Sequence, residues 1–225
     1  AQNFSFIGNI CAHNGDRNPD INFKPSSCVE VVNNVFYNAV SEFAEVWETY
    51  GGTPVSIVGN SFKAGIDTTD GAVGIIRQTV ESTGNSAIYL HDNQFFGAFT
   101  DIDASVAVAR RNTPPCPLTV KPMAAGVAYS SVLAKSGAKP RDAIDAEVVN
   151  DVINRTGQIV MFPGSIPAIF AGTPYPDADR DGMDDRWEVK NGAKVGAADS
   201  WLDGNRDGVT NLDAFLDYLH KQLVR

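Results

Sequence analysis

Four segments of the chain echo one another, and that repeat limits the possible folds more than any other feature. They are F-S-F-I-G-N-I-C from Phe4, V-E-V-V-N-N-V-F-Y-N from Val29, V-S-I-V-G-N-S-F from Val55 and A-I-Y-L-H-D-N-Q-F-F from Ala87. Each is a β-rich run leading to an asparagine and then to further apolar residues. Aligned on that asparagine they give Asn9, Asn34, Asn60 and Asn93, spaced by 25, 26 and 33 residues, the last step lengthened by an inserted loop. Repeats of this length mark solenoids, whose units stack because none can bury its apolar face alone. Asparagine suits such a position. It tolerates a left-handed bend, and its amide can bond to the same amide one rung away. The competing arrangement is an antiparallel sandwich with asparagines in its turns. No Asn-Gly or Asp-Gly hairpin joins one run to the next, which favours the coil. The expected fold is all-β, a parallel β-helix with Asn9, Asn34 and Asn60 stacked on consecutive rungs and Val31 and Ile57 inside.

After Pro122 the pattern changes. The stretch 124–138 is rich in Ala, Val and Leu, and 142–154 places Ile144, Val148, Val149 and Val152 on one helical face. Asp142 is the expected cap and Gly157 the stop. The expected division is rungs over 1–121, helices packing on the coil over 122–162, a Gly/Pro-rich linker over 163–176 and a small acidic module over 177–225.

The 18 basic and 27 acidic residues leave a net charge of −9. That argues against nucleic-acid binding, which depends on clustered Lys and Arg. No apolar run reaches the roughly 18 residues of a membrane span. Ala1-Gln2-Asn3-Phe4 lacks the basic start and apolar middle of a signal peptide. The first residues read as the inside of a strand, so the Phe4 strand is expected to meet a preceding segment or a partner chain. Three cysteines allow one internal disulfide at most. Cys11 and Cys28 could form it, leaving Cys116 for a partner; the compartment stays open.

The tail carries the sharpest motif. D-A-D-R-D-G-M-D-D-R-W-E fits a twelve-residue calcium loop, with Asp177, Asp179 and Asp181 at alternating positions and Gly182 for the turn. Met183 offers its carbonyl, Asp185 the ninth position and Glu188 a closing pair of oxygens. Three alternating carboxylates converge only if a cation offsets their repulsion; otherwise the stretch is a solvated acidic linker. D-G-N-R-D-G-V-T-N-L-D-A starts a second loop with Asp203, Asn205, Asp207 and Asn211, but its twelfth residue is Ala214 and Asp213 falls one place early. The helix that follows should turn Phe215, Leu216, Leu219 and Leu223 inward. Such cations would be structural.

Several pieces taken in order resemble one family. They are N-I-C-A-H-N-G-D-R-N-P, V-E-V-V-N-N-V-F-Y-N, V-S-I-V-G-N-S-F-K-A-G, A-Y-S-S-V-L-A-K-S-G-A-K-P-R-D-A-I-D and the D-G-M-D-D-R-W-E and D-G-V-T-N-L tail. Nearly the whole chain is similar to the C-terminal half of the longer bacterial pectate lyases of the right-handed parallel β-helix type. The resemblance implies a secreted, calcium-dependent lyase that cleaves a polyuronate by β-elimination. It implies an N-terminal half of the coil on another chain or a missing segment. It maps the family's arginine base, found in an R-x-P motif, onto Arg17-Asn18-Pro19. Calcium and basic side chains there neutralise the uronate carboxylate and acidify the adjacent proton. Bridging cations also let an acidic protein meet an acidic polymer.

The chain departs from the pattern in three ways. Ile7-Gly8 replaces histidines before Asn9. Asp20 and Asn22 replace a further basic residue, for which Lys24 is the available substitute. The acids that hold the family's catalytic calcium lie upstream of this sequence. The alternative is a non-catalytic β-helix that binds carbohydrate or serves as structure. A β-solenoid hydrolase would instead draw paired carboxylates from Asp67, Asp70, Asp92, Asp101 and Asp103.

Overall fold

β-Branched and aromatic residues fill the repeats, and the chain stacks them as parallel rungs. The computed structural model describes residues 3–137, 141–162, 164 and 172–223. The first rung is β1 (Asn3–Ile7), β2 (Ile10–Ala12) and β3 (Asp20–Ile21), and the second is β4 (Cys28–Val32), β5 (Val35–Tyr37) and β6 (Glu42–Trp47). The third is β7 (Pro54–Val58), β8 (Ser61–Lys63) and β9 (Val73–Gln78), and the fourth is β10 (Ala87–His91), β11 (Gln94–Phe96) and β12 (Thr100–Ile102). β13 (Arg110–Arg111) adds a last strand beside β10. Three sheets result, in the orders β1-β4-β7-β10-β13, β2-β5-β8-β11 and β3-β6-β9-β12, with every pairing parallel. This is a parallel β-helix-like fold, not a sandwich.

The asparagines stack as the repeat predicts. The side-chain oxygen of Asn34 accepts from the backbone and amide nitrogens of Asn9 at 2.8 and 3.0 Å. Asn60 does the same for Asn34, and Asn93 for Asn60. One expectation needs correcting. The left-handed residue is the one before each asparagine: Gly8, Asn33, Gly59 and Asp92 have φ of 71, 56, 65 and 49°. At Gly59 a Cβ would lie 2.3 Å from the Asn33 amide, so both conformation and space demand glycine there.

Inside the coil, Phe6, Phe36, Phe62 and Phe95 form a column with ring centroids 6.3, 5.0 and 5.1 Å apart. Val31 and Ile57 are fully buried beside it. Cys11 holds the inward position in register with Phe36, and burial pushes its thiol up to about 11. The Cys11–Cys28 pairing is therefore wrong. Cys28 faces outward from a different sheet and bonds to Cys116, while Cys11 stays a free thiol among core side chains. The segment that brings Cys116 back, residues 112–124, runs as a strap over the outer face of the first sheet. Glu30 accepts from the Thr119 hydroxyl and from its backbone N–H, and Asn33 exchanges hydrogen bonds with the Met123 backbone.

Helices α1 (Ala125–Lys135) and α2 (Ala143–Asn154) cover the outer face of the second sheet, packing Val132, Leu133 and Val152 on Val35 and Tyr37. Asp142 caps α2 by accepting from the Asp145 N–H. The helix closes at left-handed Arg155, two residues before the expected Gly157, and Ile144 is exposed. His13 bridges Asp151 at 3.2 Å and the Asn38 amide at 2.9 Å, fastening α2 to a corner of the coil.

The chain divides into two units, residues 1–165 and 166–225. Much of the expected linker lies outside the described residues. In the second unit α3 (Asp185–Asn191) and α4 (Asn211–Leu223) enclose Met183, Trp187 and Phe215. On α4, Phe215 and Leu219 pack inward while Leu216 is exposed; the Leu223 side chain lies outside the described residues.

Candidate metal centre

The loop before α3 turns on two left-handed residues, Arg180 and Gly182, with φ of 63 and 93°. Asp177 braces the turn by accepting from the N–H groups of Asp181 and Gly182, each at 3.1 Å. The turn brings one oxygen each of Asp177, Asp179 and Asp181 within 4.8 Å of one another. Asp184 caps α3, which places Glu188 on the first turn of the buried face beside Trp187.

Glu188 has no solvent exposure, and neither of its carboxylate oxygens has a hydrogen-bond partner. Both oxygens of Asp179 are likewise buried and unpartnered. Burial pushes the Glu188 carboxyl up to about 7, and Asp179, Asp181, Asp185 and Asp199 add repulsion. Burial also raises Asp179, followed by the charge of Asp181. Native proteins pair their buried charges, so four orphaned oxygens facing further carboxylates fit a bound cation. An all-oxygen set without His or Cys suits a hard ion such as calcium.

Not every expected ligand turns the same way. The Asp185 carboxylate accepts from the Ala178 N–H at 2.8 Å. Sequence reasoning missed Asp199, which forms a second grouping with Asp181 and Glu188. It lies outside the loop motif, so no spacing rule marks it.

The second loop repeats the turn without the burial. Asp203 accepts from the N–H groups of Asp207 and Gly208, and Arg206 and Gly208 have φ of 63 and 90°. Asn205 donates to Asp207, Asp213 accepts from the Thr210 hydroxyl, and Asn211 donates to Asp199. Ala214 packs into the core where a closing carboxylate would sit. Among the described residues, no three carboxylates of this loop converge.

In the first unit, Arg17 stands at the crest of its loop with φ 60° and its side chain about half exposed. Its Nε lies 3.7 Å from Asp20 and 3.9 Å from Asp16. Beneath it, buried Asn18 accepts from the Asn14 amide, and its own N–H donates to the Phe43 carbonyl. Asp20 lies in register with Glu45, whose carboxyl is raised by burial although Trp47 donates to it. Lys24 is exposed beyond β3. Three of the hydrolase candidates have local structural partners: Asp92 accepts from the Ala125 N–H at the start of α1, Asp103 caps a short 3-10 helix, and Asp67 accepts from Asn38 and Ile159.

No known protein family matches the chain, and no curated protein matches it either. No helix among the described residues is long and apolar enough to cross a membrane.

Proposed function

We propose that this chain is part of a secreted polysaccharide lyase of the pectate lyase type. It would act on a polyuronate by calcium-assisted β-elimination, with Arg17 as the base and Lys24 as a substrate-binding cation. The observation that carries the reading is the build of the Arg17 loop. A non-glycine residue is held in a left-handed conformation over a buried, hydrogen-bonded Asn18, which fixes a guanidinium out in solvent. Strain of that kind on a rigid scaffold points to a function. Calcium would supply charge neutralisation at the uronate carboxylate. The part of Arg17 would be to take the neighbouring proton, a demanding role for a strongly basic guanidinium. The Cys28–Cys116 disulfide supports an oxidising, exported setting. In the second unit, Asp177, Asp179, Asp181 and Glu188 would hold a structural calcium, with the Met183 carbonyl as a further loop ligand, while Asp185, expected at the ninth place, is taken up by the Ala178 N–H. Asp203, Asn205, Asp207 and Asn211 would hold a weaker one.

A specific observation favours a second reading, a non-catalytic carbohydrate-binding β-helix. Asp16 and Asp20 flank Arg17 and occupy its guanidinium as ion-pair partners, where a base would need cationic neighbours. Meanwhile Tyr89 and His91 stack at 6.1 Å along a groove of about 380 Å³ that Lys121 also lines, an apolar ring face beside a cation that suits a uronate. The deciding assay is release of unsaturated uronate, followed by ultraviolet absorbance, from the protein carrying this chain. Arg17→Lys should lower the rate by orders of magnitude with the fold intact. No product from any polyuronate in calcium, with binding retained and then weakened by Tyr89→Ala, would establish the second reading.

A further inference from the structure

We infer that Asp199, outside both loop motifs, is a ligand of the first-loop cation and fills the place Asp185 would otherwise take. The inference rests on reading that loop as a calcium site. One oxygen each of Asp181, Glu188 and Asp199 lies within 4.8 Å of the others, and Asp199 is only 7% exposed. An acidic cluster alone would prove little. Here fully buried Glu188 enters the same cluster with both oxygens unpartnered, so the group lacks a positive charge that the protein itself does not provide. Asp185 is spent elsewhere, accepting from the Ala178 N–H, and belongs to neither carboxylate grouping.

Asp199 is held in place from both sides. Its own N–H and that of Ser200 donate to Asp181 Oδ2 at 3.1 Å each, which pins the 199–200 backbone to a ligand of the first loop. Its Oδ2 accepts from the Lys194 N–H and its Oδ1 from the Asn211 amide, each at 3.2 Å. Each oxygen still has a lone pair free for a metal. Asn211 belongs to the second loop and also donates to the Asp199 carbonyl at 3.0 Å. A cation seated on Asp199 therefore orders both loops, although only the first is closed by a carboxylate.

The test is calcium titration of the whole chain, by calorimetry and by displacement of terbium whose luminescence is excited through Trp187. Asp199→Asn keeps the side-chain volume and the acceptor for Asn211, and circular dichroism in saturating calcium checks its fold. It should weaken calcium binding about ten- to a hundredfold, while Asp185→Asn stays near the unsubstituted chain. A second reading needs no variant: in the unsubstituted chain, calcium should shift the carboxyl carbon resonances of Asp199 and Glu188 but not that of Asp185. Unchanged affinity in Asp199→Asn, or a still Asp199 resonance, overturns the inference. If Glu188→Gln alone abolishes binding, the loop site stands without Asp199. Absence of binding at millimolar calcium in the unsubstituted chain removes both.

Discussion

Two glutamates, Glu48 in the coil and Glu188 in the tail module, are both wholly buried and live in opposite worlds. Burial would push the Glu48 carboxyl up, but hydrogen bonds from Arg77, the Ser86 N–H and the Ser82 hydroxyl hold it below the usual glutamate range. Arg77 grips it with two nitrogens at 2.6 and 2.8 Å. Glu188 has no such partners, and its carboxyl rises to about 7. At Glu48 the coil closes its own electrostatics. The module leaves Glu188 without a partner, and that is why only the module is read as a candidate metal site.

The comparison breaks first where its charges are removed. Glu48→Ala strands Arg77 at a nearly dry site and should cost about 3–5 kcal/mol in urea unfolding, with or without calcium. Chelating calcium should instead lower the stability of the module alone. The loss should be about 3–4 kcal/mol relative to calcium at a hundred to a thousand times Kd, read from near-ultraviolet dichroism of Trp187. A coil that melted with the module would undo the contrast. Asn60→Ala removes an amide that donates to the Val31 carbonyl and to Asn93 and an oxygen that accepts from Asn34, so about 1–3 kcal/mol should be lost.

Acid sharpens the same point. Because the folded pKa of Glu48 is depressed, its contribution is complete above the unfolded value of about 4.3 and is lost as pH falls through the folded value. Glu30 is depressed too: burial pushes it up, but bonds from Ser5 and Thr119 outweigh that. Urea midpoints should therefore fall below about pH 4.3, and Glu48→Gln should flatten that dependence. The smallest effect belongs to the exposed Lys221–Asp217 pair on α4, where Lys221→Ala should change stability by about 0.5 kcal/mol or less.

The rungs were legible because their signal is periodic: one asparagine per turn of the coil, with apolar neighbours in fixed phase. The convergence of the first acidic loop was legible because its carboxylates alternate within twelve residues. What escaped was set by tertiary return. Cys116 meets Cys28 only because residues 112–124 double back, 88 positions along the chain. Asp199 joins Glu188 through a turn that carries no motif. Whether Arg17 sits over carboxylates that neutralise it depends on the register of Asp20 with Glu45, which no local pattern encodes. The asparagine period gave the position of each sharp bend but misassigned its left-handed residue by one, because stacking and bending are shared between neighbours.

The Cys28–Cys116 bond also gives the coil a mechanical character. Tension entering beyond Cys116 and leaving before Cys28 passes through one covalent link and bypasses everything between them. β5 to β13, with Phe36, Phe62 and Phe95 of the aromatic column, lie inside that closed loop, so such a pull cannot extend them while the bond lasts. In a reducing solution the load would fall first on the strap's bonds from Thr119 to Glu30 and between Met123 and Asn33, and then on β13, which has only two residues in register with β10.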